Sequence, residues 1–186
     1  MSEEAALLRA VVARTGRDGW TRQTLRDALA DRGEPPEMVS SAFPRGVPGA
    51  IEDWLASVNA AMEAAAAGED FSALRTPERI RRLFAIRLRM LEPDRDAWRG
   101  AMRHLALPWN LPLALRCAAR TASAIWYAAG DQSSDFSWYT RRATLMSVDA
   151  AVMVYWLGPA QPDIEQTLSF LDRRLADLPQ PKRKVA

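Results

Sequence analysis

One segment, residues 125–157, constrains the fold of this 186-residue chain more than any other. It predicts the end of one helix, a tight turn after Gly130, and then a second, long helix. Glycine suits the left-handed conformation that often follows a helix end. Between Ala143 and Leu157 the only charged residue is Asp149, so the second helix is apolar on nearly every side. Such a helix is expected at the centre of a helical domain.

Length and composition limit the class of protein. A chain of 186 residues can bury one sizeable core and carry a small additional unit. The formal net charge is +2, and nearly all of the 25 basic residues are arginine. Arginine spread over helix surfaces does not by itself indicate nucleic-acid binding. The only cysteine, Cys117, excludes an internal disulfide, fits a reducing compartment and is better interpreted as a small helical residue than as a nucleophile.

Targeting and membrane insertion are not predicted. The N-terminal residues are acidic and then amphipathic, unlike a secretory signal or an arginine-rich transit peptide. The longest apolar run, near residues 150–157, is far shorter than the ~20 residues of a membrane-spanning helix. We therefore expect a soluble or peripheral protein of a bacterial-type cytoplasm.

Every segment of the chain has a helical period, which predicts an all-α fold. Residues 1–46 predict three short helices followed by Phe-Pro-Arg-Gly, the layout of a TetR-type helix-turn-helix head. The third of these helices would read DNA, yet residues 33–43 contain Glu34 and Glu37 and no Lys, Arg, Asn or Gln. Phosphates and base edges are bound mainly through those residue types. We therefore interpret the head as degenerate, without DNA binding.

Residues 47–178 predict a helical core, in which Pro48 opens one helix and Thr76 and Asp94 cap the next two, as Thr21 caps the second helix of the head. The last helix, residues 162–178, opens at Pro162 and Asp163 and carries a narrow apolar stripe with polar residues on the other side. Two interpretations remain open for it: a helix that docks on the core, or an interfacial helix that lies on a membrane. Residues 179–186 are predicted to be a disordered tail.

The residues needed for common catalytic sites are not found. The acidic turn begins like a calcium loop, but Phe136 and Arg142 occupy the positions that need glycine and glutamate. One histidine, His104, does not assemble a histidine-rich metal site or a Ser-His-Asp triad convincingly. Asp149 needs either a partner, such as an arginine from a neighbouring helix, or water, and a structural ion pair is favoured over a general base. We predict no catalytic residue, cofactor or metal; an enzyme using Asp149 with buried arginines is the catalytic alternative.

Five motifs resemble those of one known family. They are FPRG at residues 43–46, ERIRRLFAIRLRML from Glu78, LALPWNLPLAL from Leu105, IWYAAGDQSSDFSWYTRRATL from Ile125 and FLDRRL from Phe170. The fourth motif is the most specific because it is long and rich in rare residues. In these motifs the chain resembles the ubiquinone (coenzyme Q) biosynthesis accessory lipid-binding proteins, the COQ-nine family.

The resemblance implies a TetR-like helical bundle that has lost DNA binding, is not an enzyme and forms a homodimer. It implies that the core binds an isoprenoid quinone lipid and presents it to a di-iron demethoxyubiquinone hydroxylase at the membrane surface. The protein would then be cytoplasmic and peripheral to the inner membrane. A TetR-type ligand-responsive transcription regulator is the alternative function.

The family's functional surfaces map onto particular residues here. The hydroxylase-binding patch maps onto Asp131, Asp135, Trp138, Tyr139 and Arg142, although Trp138 and Tyr139 could instead pack inward. The membrane-binding helix maps onto residues 162–178, with Ile164, Leu168, Phe170, Leu171 and Leu175 as the contact residues. Apolar, adaptable walls for the lipid are expected from Phe84, Leu88, Met102, Leu105, Trp126, Leu145, Met146 and Met153. Asp149 departs from the family, where an aromatic or apolar residue is expected.

Overall fold

A computed structural model describes residues 3–130 and 136–177, with the backbone alone at 136–138. These residues form nine α-helices joined by short turns, without a strand. The helices are α1 (Glu3–Asp18), α2 (Arg22–Asp31), α3 (Val39–Ala42), α4 (Gly46–Ala67), α5 (Thr76–Leu91), α6 (Arg95–Leu105), α7 (Leu111–Ala128), α8 (Phe136–Trp156) and α9 (Ile164–Ala176). The predicted all-α fold is confirmed.

Helix α7 packs against α4, α5, α6 and α8. Its inward side chains recur at every fourth position, as Leu113, Cys117, Thr121 and Ile125, and all four are buried. Residues four apart lie on one face of a helix. This face carries the side chains through which α7 joins the core.

Helix α8 is less enclosed than the sequence predicts. Its inner face, which includes Val152, Met153 and Trp156, packs against α7 and α9. The opposite face is exposed in the described chain, and Val154 on it is 67% exposed. That face is formed by Thr140, Ala143, Ser147, Ala150 and Val154. Because these side chains are small and uncharged, the sequence shows no polar stripe that would mark the outer face.

The N-terminal head, α1 to α3, is packed onto the core by three tryptophans. The Trp20 ring lies 5.6 Å from that of Trp54 on α4, which in turn lies 5.6 Å from that of Trp98 on α6. Trp20 Nε1 also donates a hydrogen bond of 2.8 Å to the carbonyl oxygen of Ala97. The head and the core therefore share one continuous set of buried side chains.

Some helix starts follow the expected capping chemistry, whereas Asp94 occupies the cap position of α6 without a side-chain capping bond. Thr21 Oγ1 accepts a hydrogen bond from the Thr24 amide at the start of α2, as predicted. The prediction of Thr76 as a cap is wrong: Arg75 is the cap residue, and Thr76 is already helical. The Arg75 amide donates to Glu78 Oε2 at 2.7 Å, so the first-turn glutamate satisfies the amide instead. Helix α4 begins at Gly46, two residues before the predicted Pro48.

Candidate functional site

The end of α7 is fixed by Arg79 of α5. The Arg79 guanidinium donates hydrogen bonds to the carbonyl oxygens of Leu74 (Nε–O 2.8 Å) and Ala129 (Nη1–O 3.1 Å). Carbonyls at a helix end lack a helical donor, so this arginine completes the end of α7. Gly130 follows with a φ of 85°, which confirms the predicted left-handed position.

Two tyrosines, one at the end of α7 and one near the start of α8, define what we call the α7–α8 corner. Tyr127 at the end of α7 is 74% exposed and Tyr139 in the first turns of α8 is 67% exposed. Trp126 Nε1 donates a 3.2 Å hydrogen bond to the carbonyl oxygen of Arg141, which ties the two helices together behind them. Exposed aromatic side chains on a fixed backbone are typical of protein contact sites.

The predicted hydroxylase patch is only partly within the described residues. Tyr139 is exposed and lies at the α7–α8 corner. Arg142 is only 9% exposed, so its side chain is directed inward, and its predicted place on the contact surface is not supported. Asp131 and Asp135 lie outside the described residues, as does the side chain of Trp138.

The eight predicted lipid-contacting residues come from α5, α6, α7 and α8 and join one core cluster. Phe84 and Leu88 are fully buried, and Leu145 and Met153 are nearly so. Leu105 is 7% exposed, whereas Met102, Trp126 and Met146 are partly buried at the edge of the cluster. The structure brings the set together as packed side chains, so lipid binding by these residues stays a prediction that requires the core to expand.

A buried ion pair joins α5 to α8 within that core. Arg87 Nη1 lies 3.5 Å from Asp149 Oδ1, and the two side chains are 1% and 11% exposed. Arg87 also donates to Met153 Sδ at 3.8 Å and lies 5.6 Å from the Trp98 ring centroid. Burial raises the pKa of Asp149, while the attraction of Arg87 opposes the rise. The predicted pairing of Asp149 with an arginine of a neighbouring helix is confirmed.

Helix α9 docks on α5 and α8. Its start is capped by Asp163, whose Oδ1 accepts from the Gln166 amide at 2.7 Å, as the sequence predicts. Leu168 and Leu171 are 1% and 0% exposed and therefore contact the core. Arg81 of α5 reaches across to α9 and forms two ion pairs of 3.1 Å, with Glu165 and Asp172.

The other predicted membrane-contacting residues of α9 lie at the edge of this interface. Ile164, Phe170 and Leu175 are partly buried, and the Phe170 ring stacks on Tyr155 at 4.5 Å. Membrane contact through Leu168 and Leu171 requires α9 to leave the core, and the membrane-binding role of the helix stays a prediction. Within the described ranges, no helix combines the length and apolar character needed to cross a bilayer.

A groove between α4 and α7 was not predicted from the sequence. It has a volume of about 560 Å³ and opens to solvent. Small or apolar residues from both helices form most of its lining, including Leu55, Ala56, Ala60, Cys117, Ala119 and Ala124. Beneath it, Asn59 Nδ2 donates to Thr121 Oγ1 at 3.2 Å. None of the eight predicted lipid-contacting residues is among the described residues that line it.

Glu52 holds an arginine cluster at one end of this groove. Its side chain is 5% exposed, and it pairs with Arg116 (Nε–Oε1 2.8 Å) and Arg120 (Nη1–Oε1 2.7 Å), both from α7. Arg45 approaches from the other side and also donates to Asp53. These arginines, Arg116 first, hold the pKa of Glu52 below its usual value. The spacing of Arg116 and Arg120, four residues apart on one helix face, is the only sequence signal for the cluster.

The C-terminal helices match a known protein family. Residues 111–181 match the model of the COQ9 family. The matched segment contains α7, α8 and α9, and with them the α7–α8 corner. The resemblance to the COQ9 family is confirmed.

Individual COQ9 proteins match over longer or shorter stretches. The mitochondrial ubiquinone biosynthesis protein COQ9 of Rattus norvegicus is 39% identical over 103 residues, 55% of this chain and 33% of that protein. The Homo sapiens COQ9 is 38% identical over 103 residues, 55% of this chain and 32% of that protein. The Drosophila melanogaster COQ9 is 30% identical over 175 residues, 92% of this chain and 53% of that protein. The aligned part of the chain thus spans about a third to a half of the length of these COQ9 proteins.

The fold is similar to that of a solved structure, a TetR transcriptional regulator from Nitrosomonas europaea. The TM-score is 0.73, with 93% of this chain and 95% of that chain covered, at 20% sequence identity. At this identity the similarity concerns the fold alone. It confirms the prediction that the COQ9-like chain has a TetR-like helical bundle.

Proposed function

We propose that this protein is an accessory factor of ubiquinone biosynthesis rather than an enzyme. In this role it binds an isoprenoid quinone intermediate in its helical core and presents it to a di-iron demethoxyubiquinone hydroxylase at the membrane surface. The observation that carries the proposal is the COQ9 match over residues 111–181, because this segment contributes α7, α8 and α9 to the core and contains the α7–α8 corner. The relatives with that match are ubiquinone biosynthesis proteins by name.

The core residues support the lipid-binding part of the proposal. Such an intermediate is nearly insoluble in water, so a carrier must offer it apolar surface that rearranges easily. Met153 in the core, with Met102 and Met146 partly buried at its edge, supplies unbranched side chains of this kind from α6 and α8. Trp126 at the end of α7 and Leu145 on α8 lie in the same cluster. These residues remain the proposed lipid contacts.

The α7–α8 corner supports the hydroxylase-binding part. Tyr139 and Tyr127 place large aromatic surfaces in solvent, and Arg79 holds the end of α7 beside Tyr127. A rigid exposed aromatic residue contributes strongly to binding when a partner covers it. Asp131, Asp135 and Trp138 belong to the proposed patch by family resemblance.

A homodimer is also proposed, through the exposed face of α8. Ala143, Ser147, Ala150 and Val154 follow spacings of four, three and four residues, which is the pattern of a helix–helix seam. Side chains this small allow a second α8 to approach closely. The proposed localisation is peripheral, with α9 released from the core at the membrane.

Native mass spectrometry with lipid extraction tests the carrier role on the full chain purified from its own cytoplasm. Co-purified isoprenoid or quinone, at one molecule per chain, is the expected result. Purified protein that contains no lipid and takes up no added quinone contradicts the carrier role. The isolated protein should not convert a quinone precursor without added hydroxylase, and turnover by the protein alone would instead favour an enzyme.

Binding of the hydroxylase is tested by co-purification with Tyr139→Ser. We expect this change to weaken binding at least tenfold, because it removes an exposed aromatic contact. Trp109→Ser is the matched control, since Trp109 is 74% exposed but precedes α7, away from the corner. Equal losses in both variants, or none in either, would contradict the proposed patch.

A transcription regulator is the alternative suggested by the fold. It would bind duplex DNA with a steep dependence on salt. The segment from Pro36 to Ala42, which holds α3, contributes Glu37 and no basic side chain. Salt-dependent duplex binding by the full chain would favour this alternative over the carrier.

A further inference from the structure

The groove between α4 and α7 is long and mostly apolar. The ten residue steps from Cys117 to Tyr127, both of which line it, span about 15 Å along α7. It opens to solvent, and small or apolar side chains such as Leu55, Ala60 and Ala124 form most of its lining. A flexible apolar chain can therefore lie along it.

The two ends of the groove differ in charge. Near Glu52, the three guanidinium groups of Arg45, Arg116 and Arg120 face two carboxylates, those of Glu52 and Asp53. One positive charge is in excess at this end. The opposite end is formed by Glu63, Ser123 and Tyr127, which carry no positive charge. An anionic group is thus attracted to one end only.

Arg120 is well placed to bind that group. Its side chain is 57% exposed, and within the described residues it donates one hydrogen bond, to Glu52. A guanidinium has five N–H donors in a rigid plane, so most of those on Arg120 remain available to a ligand. Glu52, which is buried and held by Arg116 as well, fixes the orientation of the cluster before any ligand arrives.

We propose that the groove binds a single-chain amphiphile with an anionic head, a carboxylate or a phosphate, at Arg116 and Arg120. Its apolar chain runs along Ala56, Ala60 and Ala119 toward Tyr127. None of the proposed lipid contacts in the core is among the described residues that line this site. A core that contains no lipid would not affect this proposal. A groove that binds no amphiphile would not affect the proposed carrier role.

Isothermal titration with dodecyl phosphate, below its micelle concentration, tests the site on the full chain. Saturable binding at one molecule per chain is expected, and laurate then separates carboxylate from phosphate heads. Dodecyl maltoside has the same chain without charge and should bind at least tenfold more weakly. Inorganic phosphate should show no comparable affinity. Equal binding of the maltoside or of inorganic phosphate overturns the proposal.

Two variants test the two halves of the site separately. Arg120→Gln should weaken dodecyl phosphate binding at least tenfold, whereas Arg103→Gln, an exposed arginine on α6, should leave it unchanged. Ala60→Phe fills the groove without altering charge, and Ala60 is exposed enough for the fold to tolerate it. It should abolish binding while the thermal unfolding midpoint is retained. Unchanged binding in Ala60→Phe, or an equal loss in Arg103→Gln, overturns the site.

Discussion

Asp149 and Arg87 show how burial and charge compete at a single position. The ion pair is 3.5 Å long and almost completely buried. Within the described residues, Asp149 Oδ1 and Arg87 Nε have no hydrogen-bond partner. Removing two charges from water costs several kcal/mol per ion, which a pair of this geometry offsets only in part. Replacing both charges together should therefore change the free energy of unfolding little, whereas removing one charge alone should lower it substantially.

Asp149→Leu should lower the free energy of unfolding by about 3 kcal/mol, because it leaves a buried arginine without its counter-charge. The double variant Arg87→Met, Asp149→Leu should return to within about 1 kcal/mol of the original protein, since both buried charges are gone. Urea denaturation of the single and double variants measures the difference. Additive losses in the double variant would show that the pair is not coupled.

Glu52 represents the opposite case, a carboxylate that its neighbours keep ionised. Its pKa is lowered by Arg116 and the other arginines, so its contribution to stability is present above the ordinary glutamate pKa of about 4.3 and is lost as the pH falls through the lowered value. Glu52→Gln should therefore be less stable at neutral pH, and its deficit should shrink as the pH falls below the ordinary glutamate pKa. Denaturation at neutral and acidic pH measures this, and a deficit that persists undiminished in acid contradicts it.

At the scale of elements, α9 is held to the core by two kinds of contact. Leu168 and Leu171 contribute apolar burial, and Arg81 contributes ion pairs to Glu165 and Asp172. Only the ion pairs can be removed without changing the apolar surface that α9 would offer to a membrane. This separation allows the proposed membrane role to be tested.

Arg81→Gln should increase the fraction of protein bound to liposomes, because α9 leaves the core more readily. Arg82→Gln is the matched control, since Arg82 is the next residue on α5 but pairs with Glu69 instead of α9. Flotation with vesicles measures the bound fraction. Equal partitioning of both variants and the original protein would argue against membrane binding by a released α9.

The exposed face of α8 allows an equally direct test of the proposed dimer. Val154→Glu introduces a charge at a position that is 67% exposed, so the monomer fold should be retained. Burying two unpaired carboxylates in a symmetric interface is unfavourable, and the dimer should dissociate. Light scattering after gel filtration measures the mass. A dimer that persists in this variant places the interface elsewhere.

Sequence periodicity predicted the helices, and capping chemistry predicted several of their ends, because both depend on residues close in the chain. Thr21 and Asp163 are examples. The exposed face of α8 was missed because small uncharged residues suit buried and exposed positions alike. The groove was missed because its charged end joins Glu52 to arginines 64 and 68 residues away. Local patterns contain no information on how α4 crosses α7.

In the whole molecule, aromatic contacts join the N-terminal head to the core. Trp20 of the head, Trp54 of α4 and Trp98 of α6 form one aromatic cluster, and Trp20 Nε1 bonds to Ala97. The degenerate head predicted for residues 1–46 therefore depends on contacts with the rest of the chain. We expect the two parts to unfold together.

Trp20→Ala should lower the free energy of unfolding by about 3 kcal/mol, since it removes a buried indole and leaves a cavity between head and core. Trp109→Ala, at a side chain that is 74% exposed, should change it by less than about 0.5 kcal/mol. Circular dichroism and tryptophan fluorescence should report one coincident transition in both variants. Two separate transitions would indicate an independent head.

The contact between Arg79 and Gly130 also constrains how the chain can evolve. A Cβ at position 130 would lie 3.3 Å from Arg79 Nη1, and the φ of 85° there is unfavourable for residues other than glycine. A substitution at 130 would therefore both strain the backbone and displace the arginine that completes α7. Selection should act on the two positions jointly, so lineages that lose this glycine are expected to have replaced the arginine as well.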